Sequence, residues 1–165
     1  MAPNIRVRPA GANDVKFITN SWLESYRDAP FPRNCPNSIY YHYQHKLLEQ
    51  LIPRSYTLVA VNPSETDQIL GWICAEHVAE TLIVHYVYIK GVFRKQGVAS
   101  ALLNTVVSAI GGEPKSYEYT HKTSYARRVP KVRDSWAYNP YLMFMSLPEV
   151  WYGGEKALQK RSVQV

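Results

Sequence analysis

Long apolar runs are missing from this chain of 165 residues, since none approaches the roughly 18 consecutive residues that cross a membrane. The first residues also lack the apolar segment of a secretory signal. The two cysteines, Cys35 and Cys74, have neither the spacing of a metal site nor that of a disulfide framework. We therefore expect a cytoplasmic protein with reduced thiols, no membrane contact and no metal ion.

The composition is that of a folded, moderately basic protein. Hydrophobic residues make up 46% of the chain, and the formal net charge is +6 at pH 7. The length fits one domain over residues 1–165, as a monomer or homodimer, with a polar, flexible tail over about 153–165. The charge favours an anionic partner such as a nucleotide, a nucleic acid or a phosphorylated cofactor, although solubility alone also accounts for it.

The hydrophobic pattern predicts helices and strands in the order β-α-α-β-β-β-α-β-(α)-β. Residues 69–78 and 81–89 form two predicted strands that are close enough in sequence to pair antiparallel. The second strand has apolar residues on both faces, so we expect it in the middle of the sheet. Successive strands followed by one crossover helix indicate an α+β fold around a mixed sheet.

Three further expectations concern local structure. The helix over 97–110 is apolar nearly all round, which predicts that most of it is buried. The last part of residues 134–146 favours a final strand. The stripe expected to face the core on the second helix consists of Ile39, Tyr43, Leu47 and Leu51.

A basic turn joins the strand over 81–89 to the uncharged helix that follows it. Arg94 and Lys95 precede Gly97 in this turn. A helix N-terminus offers free N–H groups and a partial positive charge, and a glycine lets a ligand approach the backbone. The nucleotide motifs GxxxxGK[ST] and GxGxxG are both absent. The turn predicts a phosphate site of another kind, or a glycine placed for chain geometry alone.

The same turn carries a family resemblance. The residues from Arg94 to Ala99 read R-x-x-G-x-A, which resembles the [Q/R]-x-x-G-x-[G/A] signature of the GNAT superfamily of N-acetyltransferases. The order of elements from residue 5 to about residue 122 is also similar to that family. The resemblance implies the GNAT fold, a mixed and mostly antiparallel central sheet flanked by helices.

The resemblance also implies a cofactor and the residues that hold it. Acetyl-CoA would be the acetyl donor, with its pyrophosphate on the backbone amides of the turn and its pantetheine arm beside a splayed strand. The acetyl group would face an amine, which makes the protein an acyltransferase. The residues implied in cofactor binding are Tyr88, Ile89, Lys90, Arg94, Lys95, Gln96, Gly97, Val98 and Ala99.

Acetyl transfer needs a base for the amine and an acid for the departing thiolate. Glu76, Glu80 and His85 are the candidate bases, and His85 has the most suitable intrinsic pKa. A histidine in an apolar strand is also a common core residue, so a structural role stays open for it. Tyr138 is the candidate acid, with Tyr125 and Tyr141 as alternatives.

A basic segment follows the strand over 117–121, where the family pattern N-x-x-A-x-x-x-Y is absent. Cations that neutralise phosphates and aromatic rings that stack on bases together favour nucleic acid, while a solvated surface is the alternative. The chain also resembles small GNAT-like proteins of bacteriophages, some of which, such as the Mom-type proteins, modify DNA bases. A binding module without catalysis is the second hypothesis. The nucleic-acid candidates are Lys122, Arg127, Arg128, Lys131, Arg133 and Trp136.

Overall fold

A six-stranded sheet lies at the centre of this computed structural model, which describes residues 4–144. The strands are β1 Arg6–Pro9, β2 Tyr56–Asn62, β3 Glu65–Val78, β4 Thr81–Ile89, β5 Ser116–Tyr119 and β6 Ala137–Tyr138. The helices are α1 Val15–Tyr26, α2 Asn37–Arg54, α3 Val98–Ala109, α4 Ser124–Arg128, α5 Pro130–Ser135 and α6 Tyr141–Phe144. Short 3-10 turns lie at Ala12–Asp14, Pro32–Asn34 and Gly91–Phe93. The predicted tail over 153–165 lies outside the described residues.

The strands lie side by side in sequence order. The pairs β1–β2, β2–β3 and β3–β4 are antiparallel, whereas β4–β5 and β5–β6 are parallel. The parallel pairs require crossover connections, which α3 supplies for the first and α4 with α5 for the second. The predicted order of elements from β1 to β5, the antiparallel β3–β4 pair, the central place of β4 and the α+β class are confirmed.

Helices cover the two faces of the sheet with separate cores. On one face, α1 and α2 bury large residues such as Trp22 and Leu48 against Trp72 of β3. On the other face, α3 buries Leu102 and Val106 against the sheet. Each fully buried side chain of this size stabilises the fold by about 1.5–3 kcal/mol relative to exposure. In the described part of the chain, no helix combines the length and apolarity of a membrane span.

The buried stripe of α2 differs from the predicted one. Ile39 is 47% exposed and Tyr43 is 64% exposed, while the helix buries Tyr40, Gln44, Leu48, Leu51 and Ile52. Leu51 was predicted correctly, but Ile39 and Tyr43 were wrongly assigned to the core because the polar Gln44 interrupts the apolar pattern of the true stripe. Its amide is satisfied by His121, a residue far along the chain.

Two other local predictions were also wrong. Only the side of α3 that carries Val98, Leu102 and Val106 is buried, because the helix lies on one face of the sheet with its outer side in solvent. The apolar residues after Pro140 form the short helix α6 rather than a strand. The amide of Met143 donates to Pro140 O over 3.2 Å, so the proline starts a helical turn there. The final strand is β6, which precedes Pro140.

Candidate functional site

The turn before α3 has the backbone geometry of an anion site. Gly97 has φ +84° and precedes the helix, and Lys95 has φ +62°. The first backbone hydrogen bond of α3 runs from the Ala101 amide to Gly97 O, over 3.0 Å. The amides of the first turn, before Ala101, therefore have no carbonyl partner within the helix and are available to a ligand. A Cβ added at Gly97 would meet no described atom within 4 Å. This open space at a helix N-terminus fits a phosphate group, and residues 90–100 are named the phosphate turn.

Cationic side chains surround the turn. Arg94 and Lys95 are exposed, and Arg94 donates from Nε to Ile89 O over 3.3 Å, which ties its stem to the end of β4. Lys90 is half-buried, with Nζ 5.0 Å from the centre of the Phe17 ring. Gln96 donates from Nε2 to Val92 O over 3.0 Å and holds the turn itself. Arg94 and Lys95 therefore add positive charge in the residues directly before the free amides of α3.

The strands β4 and β5 diverge next to this turn. Their parallel pairing runs from Thr81 with Ser116 to Val84 with Tyr119 and stops there. The rest of β4 continues to Ile89 paired only with β3 on its other side. The backbone edge of β4 that faces β5 is therefore open from residue 85 to residue 89, and an extended ligand can lie against it.

A β-bulge in β4 marks the point of divergence. Cys74 of β3 pairs with Tyr86, and Ala75 pairs with Val84, which leaves His85 as the extra residue of β4. The bulge turns the His85 side chain to the face covered by α1 and α2. The strands thus separate where one strand carries an additional residue.

Buried polar side chains form a continuous hydrogen-bonded chain at the bulge. His85 Nε2 lies 2.7 Å from Glu76 Oε2, and His85 Nδ1 lies 3.0 Å from Thr120 Oγ1. Thr120 Oγ1 lies 2.8 Å from His121 Nδ1, and His121 Nε2 lies 3.1 Å from Gln44 Nε2. These five residues are named here the buried chain. Each is at most 7% exposed, so the buried chain is shielded from solvent along its length.

Arg54 lies beside Glu76, at one end of the buried chain. Its Nε lies 3.1 Å from Glu76 Oε1, within ion-pair range, although the N–H is not aimed at that oxygen. Nη2 of Arg54 donates to Leu142 O over 3.3 Å. A buried carboxylate needs a cation or several donors. Glu76 has Arg54 on one oxygen and His85 on the other.

Burial keeps both histidines of the buried chain neutral. Desolvation lowers the pKa of His85, although its hydrogen bond to Glu76 acts in the opposite direction. Desolvation also lowers the pKa of His121 well below its usual value, and the neighbouring His85 adds to the effect. Near pH 7 each ring therefore carries one proton and has one nitrogen that accepts.

An aromatic cluster lies beside His121 on the helical side of the diverging strands. The rings of Trp22, Tyr26 and Tyr86 lie 5.1, 4.7 and 5.9 Å from the His121 ring, centre to centre. Tyr86 shares a 2.8 Å hydrogen bond with Ser25 Oγ. The Tyr26 hydroxyl is buried and has no hydrogen-bond partner among the described residues. The cluster fixes the orientation of the His121 ring.

A cleft of about 440 Å³ runs along α1 beside Tyr88 at the open edge of β4. The α1 residues that line the cleft are three or four positions apart, so they lie on one face of the helix. Lys16 lies near one end of the cleft and Glu24 lies at the other. Glu24 lies one residue before Ser25, which contacts Tyr86. The cleft thus places one exposed carboxylate near the diverging strands. Its lining consists of Asn13, Lys16, Phe17, Asn20, Ser21, Glu24 and Tyr88.

Tyr138 lies on β6 at the end of the β4–β5 pairing. Its ring is 5.3 Å from that of Tyr119, its partner in the sheet register, and Lys122 Nζ lies 5.3 Å from the ring centre. Partial burial raises the pKa of Tyr138, and Tyr119 adds to the rise. Tyr141, the alternative acid, is 69% exposed, and the Tyr125 side chain lies outside the described residues.

The basic segment over 121–133 forms α4 and α5 on the surface. Arg127 and Arg128 are exposed at the end of α4. Arg133 forms an exposed ion pair with Asp134 at 2.9 Å. The Trp136 ring stacks on Tyr117 with centres 4.7 Å apart and planes 2° apart, so one of its faces is already covered.

The matching family model is the Acetyltransferase (GNAT) family, and the match spans residues 17–124. This chain belongs to that family. The match covers more than half of the chain and includes most of α1, the diverging strands β4 and β5, and the turn before α3. The predicted family and the acyltransferase class are confirmed. A search of curated proteins found no match.

Solved structures share the fold at low identity. A putative acetyl transferase from Pyrococcus furiosus is 20% identical over 79% of this chain and 88% of its own, with a TM-score of 0.56. A histone acetyltransferase HPA2 and related acetyltransferase from Corynebacterium glutamicum is 22% identical over 68% and 74%, with a TM-score of 0.53. A GNAT family acetyltransferase from Brucella melitensis, solved with acetyl-CoA, is 16% identical over 76% and 80%, with a TM-score of 0.51. The predicted GNAT fold is confirmed.

The structure brings some predicted site residues together and separates others. The turn residues lie around one open space, and Glu76 and His85 are in direct contact. Glu80 is exposed and paired with Lys115 at 2.9 Å, on the hairpin between β3 and β4. Sequence reasoning missed Gln44, Arg54, Thr120 and His121, since no local pattern links them. It also missed the cleft along α1, which the helical spacing of its polar residues could have indicated.

Proposed function

We propose that this protein is an N-acetyltransferase that passes the acetyl group of acetyl-CoA directly to an amine. The observation that carries the proposal is the open edge of β4 leading from the helix N-terminus at Gly97 to the bulge at His85. The turn amides, Arg94 and Lys95 hold the phosphates. The edge of β4 from Tyr88 to Lys90 holds the pantetheine arm, so that the thioester lies between the diverging strands. The Brucella melitensis acetyltransferase, which shares the fold, was solved with acetyl-CoA.

The acceptor enters through the cleft along α1. Glu24 is its carboxylate, and an ammonium group is drawn toward that charge. The amine must lose a proton before its nitrogen attacks the thioester carbonyl. Carbon–nitrogen bond formation and carbon–sulfur bond cleavage then give the amide and the coenzyme A thiolate. The acceptor class is therefore an amine small enough to present its nitrogen from this cleft.

Tyr138 is the acid in this proposal. Its raised pKa keeps the phenol protonated at neutral pH, as a proton donor requires, and it lies beside Tyr119 where the strands part. Glu76 and His85 are buried, so neither touches the acceptor directly. The two free cysteines fit a reducing compartment such as the cytoplasm, and they take no part in direct transfer.

The proposal is tested by calorimetry and by thiol release from acetyl-CoA with a panel of primary amines. Acetyl-CoA should bind, and Tyr138→Phe should lower kcat by roughly 10²–10⁴-fold with its affinity nearly unchanged. Tyr141→Phe is the matched control, because that phenol is exposed and should not matter. Wild-type protein that does not bind acetyl-CoA at millimolar concentration would disprove the proposal. An unchanged kcat in Tyr138→Phe would move the acid to another group.

A nucleic-acid acceptor or partner is the second candidate function, and the exposed Arg127 and Arg128 favour it. The stacking of Trp136 on Tyr117 weighs against Trp136 as a platform for bases. The remaining candidates, Lys122, Lys131 and Arg133, each lie against an aromatic ring or an acidic partner. A phage DNA-modifying enzyme and a binding module without catalysis both belong to this second candidate. A salt titration of oligonucleotide binding, in the wild type and in a variant with Arg127 and Arg128 changed to alanine, distinguishes this candidate from a small-amine acetyltransferase.

A further inference from the structure

The hydrogen bonds of the buried chain have a single consistent direction when Glu76 is ionised. Glu76 can then only accept, so His85 donates from Nε2 and its Nδ1 must accept. The Thr120 hydroxyl therefore donates to His85 Nδ1 and accepts from His121 Nδ1. His121 Nε2 is left to accept from the amide of Gln44. Every donor points toward Glu76, and the two imidazoles are opposite tautomers.

The opposite direction is equally complete and holds one proton more. In that state Glu76 is protonated and donates to His85 Nε2, and His85 Nδ1 donates to Thr120. Thr120 donates to His121 Nδ1, and His121 Nε2 donates to the Gln44 amide oxygen after the amide rotates. No imidazolium appears in either state. The chain can therefore take up one proton at its His121 end and store it on Glu76, although both rings are neutral.

We propose that the buried chain is the proton acceptor of the acyl transfer, with Thr120 as the link through which the proton passes. This proposal rests on the proposed function. The amine proton arrives at His121 Nε2 when the Gln44 amide moves aside. The Nδ1 proton of His121 moves to Thr120, the Thr120 hydroxyl proton moves to His85 Nδ1, and the Nε2 proton of His85 moves to Glu76. One proton leaves the amine, one arrives on the carboxylate, and both rings exchange tautomers.

The position of the buried chain suits proton transfer from the amine. Thr120 and His121 directly follow Tyr119, the last residue of β5 that pairs with β4, and His85 is the bulge residue opposite. The His121 end of the buried chain therefore lies next to the point where β4 and β5 separate, which is the place assigned to the thioester. Gln44 lies at its outer end and is 7% exposed, while Glu76 lies at the inner end with Arg54 beside it. A base that contacts the amine directly would have to be exposed to the acceptor. The buried chain instead lets the buried carboxylate of Glu76 accept the amine proton.

Other titratable groups around the buried chain do not compete for the proton. Burial raises the pKa of the Cys74 thiol to about 12 and that of Tyr86 to about 12. Burial also raises the pKa of Tyr26, on α1 against His121. Arg54, from α2, is the cation that faces Glu76. The Cys74 thiol and the two phenols therefore stay protonated near neutral pH, so the two histidines and Glu76 carry the exchange.

Nitrogen-15 NMR of the histidine side chains tests the direction of the chain without any substrate. At pH 7.5 the wild-type protein should show His85 protonated on Nε2 and His121 protonated on Nδ1. Thr120→Val removes the hydroxyl link, so His121 should change to the Nε2-protonated form with Gln44 as its acceptor. Thr120→Ser keeps the hydroxyl and should keep the wild-type tautomers. The same tautomer on both rings of the wild type, or unchanged tautomers in Thr120→Val, would overturn the proposal.

Thiol release from acetyl-CoA, with water or a primary amine as acceptor, tests the role of the chain in the reaction. Thr120→Val should lower kcat by about 10²-fold, and Thr120→Ser should restore most of it. The KM for acetyl-CoA should stay within about twofold, since the phosphate turn is untouched. Glu76→Gln, which keeps the shape but cannot store the proton, should match Thr120→Val. Full activity in folded Thr120→Val and Glu76→Gln would remove the chain from catalysis and leave the acetyltransferase proposal intact, whereas a wild type inert to acetyl-CoA would remove both.

Discussion

The phosphate turn and the buried chain lie at the two ends of the open edge of β4 and are built in opposite ways. The turn is exposed, and its binding groups are backbone amides and flexible cations within residues 90–100. The buried chain consists of side chains from α2, β3, β4 and the end of β5, and each member holds the next. A turn of this kind tolerates the loss of one side chain. A buried chain fails when any member is lost, because its neighbours are left unsatisfied.

The largest expected effect is on stability, from Glu76→Ala. This change leaves Arg54 and His85 buried without the carboxylate between them, so the free energy of unfolding should fall by about 3–5 kcal/mol. Urea denaturation followed by circular dichroism measures the loss. The matched control is Glu80→Ala on the same hairpin, whose ion pair with Lys115 is exposed and should contribute well under about 1 kcal/mol. Equal losses in the two variants would show that the interior charge pair gives no special stability.

The next effect is on cofactor affinity, from Gly97→Val. A β-branched residue is strained at φ +84°, and its side chain enters the space assigned to the phosphates, so acetyl-CoA affinity should fall by about 10-fold or more. Isothermal titration calorimetry measures it. Gly91→Val is the matched control, because Gly91 lies in the same turn region with open space around its Cβ position and no positive φ. If both variants weaken acetyl-CoA equally, the phosphates do not lie at Gly97.

Arg94→Ala should have a milder effect than Gly97→Val at the same turn. It removes one charged hydrogen-bond donor that is exposed, which corresponds to about 1 kcal/mol of binding free energy, a loss of about fivefold. The backbone amides remain, so binding should weaken without being lost. Calorimetry at two salt concentrations should show a smaller salt dependence than in the wild type. An affinity equal to that of the wild type would mean that Arg94 serves only to tie the turn to Ile89.

The contrast between the two regions also explains what the sequence could predict. The turn was found because Arg94, Gly97 and Ala99 are close in sequence, and the chemistry of a helix N-terminus is local. The antiparallel β3–β4 pair was found for the same reason. Gln44 and His121 are 77 positions apart, and their hydrogen bond exists only once α2 covers the sheet. Sequence alone therefore named Glu76 and His85 as separate candidates, and did not show that they form one chain with Thr120 and His121.

Acid should also lower the stability of the protein. Burial lowers the pKa of His85 and His121, so the unfolded chain binds protons near its ordinary pKa of about 6.5 before the folded one does. Stability should therefore be constant above about pH 6.5 and fall below it, by up to about 1.4 kcal/mol per pH unit for each histidine. Denaturation between pH 8 and pH 5 measures the slope. His121→Asn should reduce it, and a stability that rises on acidification would contradict the neutral state of these rings.

The smallest expected effect on acetyl-CoA binding comes from the basic segment. Changing Arg127 and Arg128 together to alanine should leave acetyl-CoA affinity within about twofold, since the phosphate turn is built by other residues. If the segment binds a nucleic-acid backbone, binding of a fluorescent oligonucleotide should weaken steeply with salt, and the double change should reduce the salt slope by roughly two units. The control is Arg6→Ala with Lys46→Ala, which removes the same charge from exposed positions outside the segment. Equal slopes in the two double variants would show that the attraction comes from net charge. A specific loss with Arg127 and Arg128 would place the oligonucleotide on α4, beside the end of β5 where the buried chain begins.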